Sequence, residues 1–146
     1  MTNLSDNAKA HFDYEILERF TAGLELVGHE VKAVRAGKMS LAGSYVVIRG
    51  NEAFLLGADI APYQPKNTPP DYDSRRARKL LLSKTELLTL EKAEQTKGLT
   101  IVPLSVYNKG RFLKLDLAIA RGKKKFDKRQ AIKKRDTERE IGRTLK

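Results

Sequence analysis

The chain has 146 residues, which suits one compact domain with tails and is enough to bury a hydrophobic core without covalent staples. It has no cysteine, which excludes disulfides and thiolate metal sites and is compatible with a reducing cytosol. No apolar run reaches about 18 residues, so no transmembrane helix is predicted. The net charge is +11, from 29 Lys and Arg against 18 Asp and Glu, and a protein this basic most often binds a polyanion such as nucleic acid.

The first elements in chain order are a strand and a short helix. Residues 1–9 are interpreted as a flexible lead-in whose polar, acidic character is unlike a secretory signal. Alternation at the even positions from Tyr14 to Leu26 predicts a long strand, although part of this run also fits helical spacing. Valines at helical spacing then predict a short helix that begins near Val27 and ends near Gly37.

Two further strands and a long loop are predicted next. Residues 44–49 and 53–60 have the composition of paired strands, joined by a Gly-Asn turn that is a weaker hairpin signal than Asn-Gly. Residues 62–74 contain four prolines, which exclude a helix and disfavour a strand. This segment is therefore predicted to be an exposed loop.

The last part of the domain is predicted to be a helix followed by two strands. Residues 83–86, SKTE, fit a capping box, and Gly98 is well placed to end the helix that follows. Residues 99–107 form an apolar strand in which Pro103 implies an edge or a bulge. Residues 111–121 alternate clearly as a final strand.

Five or six strands and two helices in about 110 residues predict a mainly β fold, an OB-like antiparallel barrel with flanking helices. The predicted organisation is a lead-in over 1–9, a barrel over 10–121 and a basic tail over 122–146. Barrels of this type often bind nucleic acid, although a fold alone establishes no function.

The sequence contains little that indicates catalysis. His11 and His29 lack metal-ligand spacing and are expected at the surface or its boundary, and no GxGxxG or Walker loop is present. Asp71 and Asp73 lie in the proline-rich loop, where a solvated role is the default. We therefore expect no enzyme activity, no metal and no cofactor.

Two basic segments of the barrel are candidates for contact with a polyanion. In GHEVKAVRAGK, residues 28–38, the valines are expected to face inward, with Lys32 on the outer side and Glu30 and Arg35 on opposite shoulders; an ordinary amphipathic helix is the alternative. SRRARK, residues 74–79, is interpreted as the first turns of a helix, where its cations oppose the helix dipole and a bound anion would relieve the penalty.

The third basic segment is the tail. Residues 123–146 hold 11 basic and 4 acidic side chains, so most of the excess charge lies at this end. The few apolar residues of the tail form no continuous stripe, which favours nucleic acid over an anionic membrane as its partner. We expect the tail to be largely disordered alone and to become helical when phosphates neutralise it, and a solubilising tail is the alternative.

The chain resembles the small protein B family, the SsrA-binding proteins of bacterial trans-translation. The resemblance covers nearly the whole chain, and six segments in this order make it specific. The segments are HFDYEILERFTAGLEL (11–26), GHEVKAVRAGK (28–38), SYVVIRGNEAFLLGADIAPY (44–63), RARKLLL (76–82), KGLTIVPLSVY (97–107) and ARGKKKFDKR (120–129).

This resemblance implies an OB-like barrel and a cytoplasmic, monomeric RNA-binding adaptor. It implies binding to the tRNA-like domain of transfer-messenger RNA and, with elongation factor Tu and the alanine-charged RNA, delivery to stalled ribosomes. There the protein would stand at the decoding centre of the small subunit, in place of a codon–anticodon pair. Its tail would become helical in the empty mRNA channel, after which the nascent chain is tagged for proteolysis.

The resemblance also implies roles for particular residues. A hydroxyl that many relatives have in the first basic segment is missing at Ala33, and Ser83 stands where many relatives have His. Glu30 is expected to orient a cation or to accept from a base or ribose donor. The expected RNA-binding residues are Glu30, Lys32, Arg35, Lys38, Arg76, Arg78 and Lys79, and those expected to act on the ribosome are Lys123, Lys124, Lys125, Asp127, Lys128 and Arg129.

Composition alone supports a second function equally well, that of a structural protein bound to ribosomal RNA or active in ribosome assembly. A catalytic nucleic-acid enzyme is a third alternative, for which no motif argues.

Overall fold

The computed structural model describes residues 3–123 and is mainly β, with flanking helices. None of the helices in this part of the chain has the length and apolar content needed to cross a membrane. The strands are β1 (Asn3–Asp6), β2 (Tyr14–Leu24), β3 (Met39–Ser40), β4 (Tyr45–Arg49), β5 (Glu52–Leu56), β6 (Asp59–Ile60), β7 (Arg78–Leu81), β8 (Leu99–Lys109) and β9 (Phe112–Gly122). The helices are α1 (Ala8–Asp13), α2 (Gly28–Arg35), α3 (Lys84–Gln95) and a 3₁₀ turn at Pro65–Asn67.

Seven of the strands form one antiparallel sheet in the order β1-β8-β9-β2-β7-β5-β4, and β3 pairs with β6 separately. The edge strand β4 packs against β8, which is the neighbour of the opposite edge strand β1. The sheet therefore curls back on itself, as the strands of a small barrel must. This confirms the prediction of an OB-like antiparallel barrel with flanking helices.

The long hairpin β8–β9 supplies much of the core. The alternating leucines of β9, Leu113, Leu115 and Leu117, are all buried, as their spacing of two predicts. The pairing register of β8 with β9 shifts between Pro103 and Ser105, which confirms the predicted bulge. Proline has no N–H to donate to a neighbouring strand, so a bulge accommodates it.

Helix α3 closes one side of the barrel and begins at the predicted capping box. The Ser83 Oγ accepts from the Glu86 N–H at 3.2 Å, and Glu86 Oε1 accepts from the Ser83 N–H at 3.0 Å. Leu90 and Ala93 are buried on the face that packs against β8 and β4. Local capping and the apolar face therefore agree with the tertiary packing.

The lead-in prediction is wrong for residues 3–6, which form strand β1. This strand pairs antiparallel with β8, and Asn7 behind it is buried, donating from its N–H to the Leu104 carbonyl at 2.8 Å. The segment NLSD has a single apolar residue, Leu4, which packs against the core, and one residue is too few to show the alternation that predicts a strand. The number of strands in residues 3–123 is therefore nine rather than about six.

The prediction that SRRARK begins a helix is also wrong. Residues Arg78–Leu81 form β7 in the middle of the sheet, between β2 and β5, and α3 begins only at Lys84. Arg78 and Leu80 are buried while Leu81 is exposed, which is the two-residue period of a strand. The sequence did not predict this period because arginine is normally exposed to solvent, whereas Arg78 is buried.

The predicted strand over 53–60 is divided into β5 and β6. Gly57 separates them with a φ of +78°, a left-handed conformation that interrupts extended backbone and that glycine adopts without steric cost.

Candidate nucleic-acid interface

Helix α2 presents one buried and one exposed face, as its sequence predicts. Ala33 and Val34 are buried, whereas Lys32 and Arg35 are exposed. The helix begins without a side-chain cap from Val27, and instead the Glu30 carboxylate accepts from the Val27 N–H at 3.2 Å. Glu30 is therefore directed back toward the start of the helix and into the protein.

Glu30 is fully buried and binds two arginines that lie far along the chain. Its carboxylate pairs with Arg76 and with Arg78, 46 and 48 residues away in sequence. The distance from Arg78 Nη2 to Glu30 Oε2 is 2.6 Å, and the Tyr72 hydroxyl lies 3.2 Å from the same oxygen. We call this group, Glu30, Tyr72, Arg76 and Arg78, the Glu30 cluster. It fastens α2 to the segment that leads into β7.

The charge state of the cluster follows from its contacts. Burial acts to raise the pKa of the Glu30 carboxyl, but hydrogen bonds from Arg76, Arg78 and the Val27 N–H outweigh burial and hold that pKa at about 2. Burial, together with the neighbouring Glu30 carboxylate, raises the pKa of Tyr72. At neutral pH the cluster therefore contains an ionised carboxylate, two guanidinium groups and a neutral phenol.

Glu30 and Arg78, both expected among the RNA-binding residues, face the interior of the protein in this structure. Both side chains are fully buried. Arg78 uses all its N–H donors internally, from Nε and Nη2 to Glu30, from Nη2 to the Tyr72 hydroxyl, and from Nη1 to the carbonyls of Ala58 and Ser74. Of the two roles expected for Glu30, orienting a cation agrees with the structure, whereas accepting from a base or ribose does not.

Arg76 stands at the border between the cluster and the surface. Its side chain is 35% exposed, and its Nε and Nη2 are bound to Glu30. Nη1 donates to the Ala77 carbonyl at 3.2 Å, which leaves two of the five N–H donors of the guanidinium without a partner in residues 3–123. Glu30 thus holds Arg76 in place, and two N–H donors of the Arg76 guanidinium remain available to a phosphate.

The other cations of α2 and of the residues that follow it are exposed, and they differ in their contacts. Arg35 donates from Nη2 to the Arg111 carbonyl at 2.8 Å, which ties α2 to the β8–β9 turn. Lys38 Nζ lies 3.2 Å from the Tyr63 carbonyl and 5.8 Å from the centre of the Tyr63 ring. The Lys32 side chain has neither a hydrogen bond nor an ion pair within residues 3–123.

Lys79 lies apart from these groups on strand β7. Its Nζ pairs with Glu52 Oε1 at 3.2 Å, and both side chains are nearly half exposed. A surface pair of this kind contributes about 0–1 kcal/mol to stability, so it would be exchanged readily for a phosphate contact.

The tail prediction falls largely outside the described residues, which end at Lys123. This residue fixes the point where the tail leaves the barrel. Its N–H donates to the Asp13 carbonyl at 2.9 Å, and its Nζ lies 3.3 Å from the His11 carbonyl. The remaining predicted tail residues are not described by the structure: Lys124, Lys125, Asp127, Lys128 and Arg129.

Aromatic residues near α2 are the part of the site that sequence reasoning missed. The His29 ring packs edge-on against Tyr72, with ring centres 4.9 Å apart, and Tyr63 lies beneath Lys38. Both tyrosines come from the proline-rich loop, where no periodicity marks them. Within residues 3–123, no group of three or more His, Asp or Glu side chains could hold a metal ion.

A mainly β, OB-like barrel with a face of exposed lysine and arginine side chains defines a small nucleic-acid-binding barrel protein. Comparison with known proteins identifies the family. The family model described as SmpB protein matches residues 4–146. The chain therefore belongs to the SmpB family.

Individual relatives agree with this assignment. An SsrA-binding protein of Psychrobacter is 50% identical over 98% of this chain and 90% of its own length. The SsrA-binding protein of Trichodesmium erythraeum is 46% identical over 98% of this chain and 92% of its own length. A solved structure described as "tmRNA-SmpB: a journey to the center of the bacterial ribosome" is 44% identical, has a TM-score of 0.68, and covers 87% of this chain and 92% of its own.

Proposed function

We propose that this protein is an RNA-binding adaptor of trans-translation. It binds the tRNA-like domain of transfer-messenger RNA and, together with elongation factor Tu and the alanine-charged RNA, delivers it to stalled ribosomes. It acts as a monomer in the cytoplasm, without enzymatic activity and without a cofactor. Membership of the SmpB family supports this proposal, as do relatives named for SsrA binding and a solved relative described as tmRNA-SmpB in the ribosome.

The observation that carries the RNA-binding part is the Glu30 cluster. Glu30 belongs to α2, the helix that carries the exposed Lys32, and its carboxylate holds the partly exposed guanidinium of Arg76 in a fixed position. Guanidinium groups match phosphate geometry, and a rigid set of cations loses less side-chain entropy on binding than a mobile one. RNA contact is therefore assigned to Lys32, Arg35, Lys38, Arg76 and Lys79, with Glu30 and Arg78 positioning Arg76.

The ribosomal part is assigned to the tail. Lys123 is bonded to backbone carbonyls at the C-terminal end of α1, which gives the tail a defined exit from the barrel. Beyond it, the basic residues Lys124, Lys125, Lys128 and Arg129, together with Asp127, are proposed to act in the empty mRNA channel next to the decoding centre. A phosphate-lined channel would offset the mutual repulsion of these lysines and arginines.

Truncation tests this division of labour. A chain that stops after Arg121 should bind transfer-messenger RNA nearly as tightly as the full chain, but should not support tagging of nascent chains in a reconstituted translation reaction. The matched control is the full chain carrying Lys32→Glu and Arg35→Glu, which should lose RNA affinity. If the truncated chain loses as much RNA affinity as this control, the proposed division is wrong.

The identity of the RNA is tested separately. Native RNA that copurifies with the protein at moderate ionic strength should be dominated by transfer-messenger RNA when it is sequenced. Recovery of ribosomal RNA alone, with one copy of the protein on each mature ribosome, would instead support a structural ribosomal protein.

A further inference from the structure

A cleft of about 370 Å³ lies between α2 and the proline-rich loop. His29 and Lys32 contribute to one wall, and Tyr63, Gln64 and Asn67 contribute to the other. The Glu30 cluster holds the two walls together, because Tyr72 belongs to this loop while Glu30 belongs to α2. The cleft is therefore a built feature of the fold, in the size range of pockets that hold small ligands.

The aromatic side of the cleft consists of Tyr63 and His29. The Tyr63 side chain is exposed over more than a third of its surface, and Lys38 Nζ lies above its ring. The His29 ring is held edge-on by Tyr72. An exposed aromatic ring can serve as a stacking platform, and nucleobases stack on such rings whatever their sequence.

A nucleotide also carries a phosphate, which requires a cation, and Lys32 provides one. This lysine lines the same cleft, and its ammonium group has no hydrogen-bond or ion-pair partner in the part of the chain that the structure describes. An ammonium group with no internal partner is available to a phosphate at little cost, since no existing contact must break.

Two polar side chains of the proline-rich loop, Gln64 and Asn67, also line the cleft. Asn67 Nδ2 donates to Gln64 Oε1 at 2.7 Å, which leaves the Gln64 amide NH₂ and the Asn67 amide oxygen without partners within residues 3–123. One donor group and one acceptor are thus held side by side at the cleft. A donor next to an acceptor is the arrangement that pairs with the edge of a nucleobase.

We propose that this cleft binds one unpaired nucleotide of the RNA, with its base stacked on Tyr63 and its phosphate at Lys32. The inference rests on the proposed function and specifies which kind of nucleotide the barrel reads. A base inside a duplex has both faces stacked and its pairing edge occupied, so only a nucleotide turned out of a loop or bulge can enter.

A double-mutant cycle between protein and RNA tests the proposal. The RNA is a transcript of the tRNA-like domain of transfer-messenger RNA. A series of chemically synthesised copies of this RNA each carries one abasic position in an unpaired region. Tyr63→Leu should weaken binding about 5- to 150-fold, the usual effect of losing one base–aromatic stack, while Tyr63→Phe should bind like the unchanged protein. At one position the abasic RNA should show the same loss, with no further loss for Tyr63→Leu.

Two controls make the outcome specific. Tyr45→Leu removes a similarly exposed tyrosine from a different cleft and should leave affinity unchanged. Lys32→Met should lower the slope of log Kd against log salt by about 0.7–0.9, the contribution of one phosphate contact. Thermal unfolding of each variant checks that the fold is retained.

The results separate the subsite from the function on which it rests. If the unchanged protein binds the transcript but Tyr63→Leu binds equally well, or if no abasic position is coupled to Tyr63, the subsite is wrong and the proposed function stands. If the unchanged protein does not bind the transcript at moderate ionic strength, both are wrong.

Discussion

The Glu30 carboxylate accepts hydrogen bonds from three places in the chain, the backbone before α2, the loop before β7, and β7 itself. Each bond compensates part of the cost of burying a charge, and Arg78 is buried with it. An ion pair of this kind is weak grounds for expecting net stabilisation, but removing one partner leaves an uncompensated charge in the interior. Glu30 therefore holds Arg76 and Arg78 in place from inside the protein.

The first prediction concerns this buried pair. Glu30→Gln should lower the free energy of unfolding by about 3–5 kcal/mol, because Arg78 remains buried without a counter-charge. Urea denaturation followed by circular dichroism measures the change. The control is Glu52→Gln, which breaks the exposed pair with Lys79 and should cost no more than about 1 kcal/mol. Equal effects of the two substitutions would contradict the assignment of Glu30 to the interior.

The second prediction concerns how the stability of the protein depends on pH. The folded state holds the Glu30 pKa at about 2, below its ordinary value of 4.5, so the unfolded chain binds the proton more readily. The contribution of Glu30 is thus complete above about pH 5 and is lost as the pH falls toward 2, by about 3 kcal/mol in total. The stability difference between the unchanged protein and Glu30→Gln should shrink over this range. A difference independent of pH between 5 and 2 would show that the Glu30 pKa is not depressed.

At the scale of the element, the helix α3 and the strand β7 show what local sequence does and does not encode. The capping box at Ser83 is a contact between residues three apart, and it forms as predicted. Strand β7 directly before it was missed because its alternation contains the buried Arg78. That burial depends on Glu30 in α2, which local periodicity cannot reveal.

The third prediction tests the start of α3. Ser83→Ala should lower the free energy of unfolding by about 0.5–2 kcal/mol, because the Glu86 N–H loses its acceptor. Thr89→Ala on the same helix is the control. The Thr89 hydroxyl donates to the Thr85 carbonyl one turn earlier, within the helix itself, and alanine has the higher helix propensity, so no loss is expected. If thermal unfolding shows Ser83→Ala to be neutral, the helix start does not depend on this cap.

At the scale of the whole molecule, two parts of the chain differ in how they would meet RNA. The barrel presents cations on a rigid frame, and the predicted tail carries 11 basic side chains over residues 123–146 with few apolar ones. Such a composition cannot offset the entropy of ordering by burying apolar surface. We therefore expect this segment to be ordered by charge neutralisation when it binds phosphates.

The fourth prediction therefore concerns the isolated tail. A peptide of residues 122–146 should give a coil-like circular dichroism spectrum in buffer and gain helical signal when polyphosphate or RNA is added, because its composition tolerates helix once the charges are neutralised. Addition of an uncharged polymer is the control and should change nothing. A stable helix in the peptide without any polyanion would contradict coupled folding.

The sequence by itself determined the features that depend on neighbouring residues. These are the alternation of β9, the bulge at Pro103, the cap at Ser83, the outward face of α2 at Lys32, and the resemblance to the family. Each is readable because its cause lies within a few residues, in side-chain period, in proline's missing N–H or in a local hydrogen bond.

Only the tertiary structure decided which charged residues reach the surface. Glu30 and Arg78 look like solvent-facing charges, but each lies within hydrogen-bonding distance of the other across 48 residues of sequence. The cleft of Tyr63 and Lys32 arises in the same way, from a proline-rich loop folded against α2. Burying a charge is favourable only beside its partner, and that partner is supplied by the fold rather than by the local sequence.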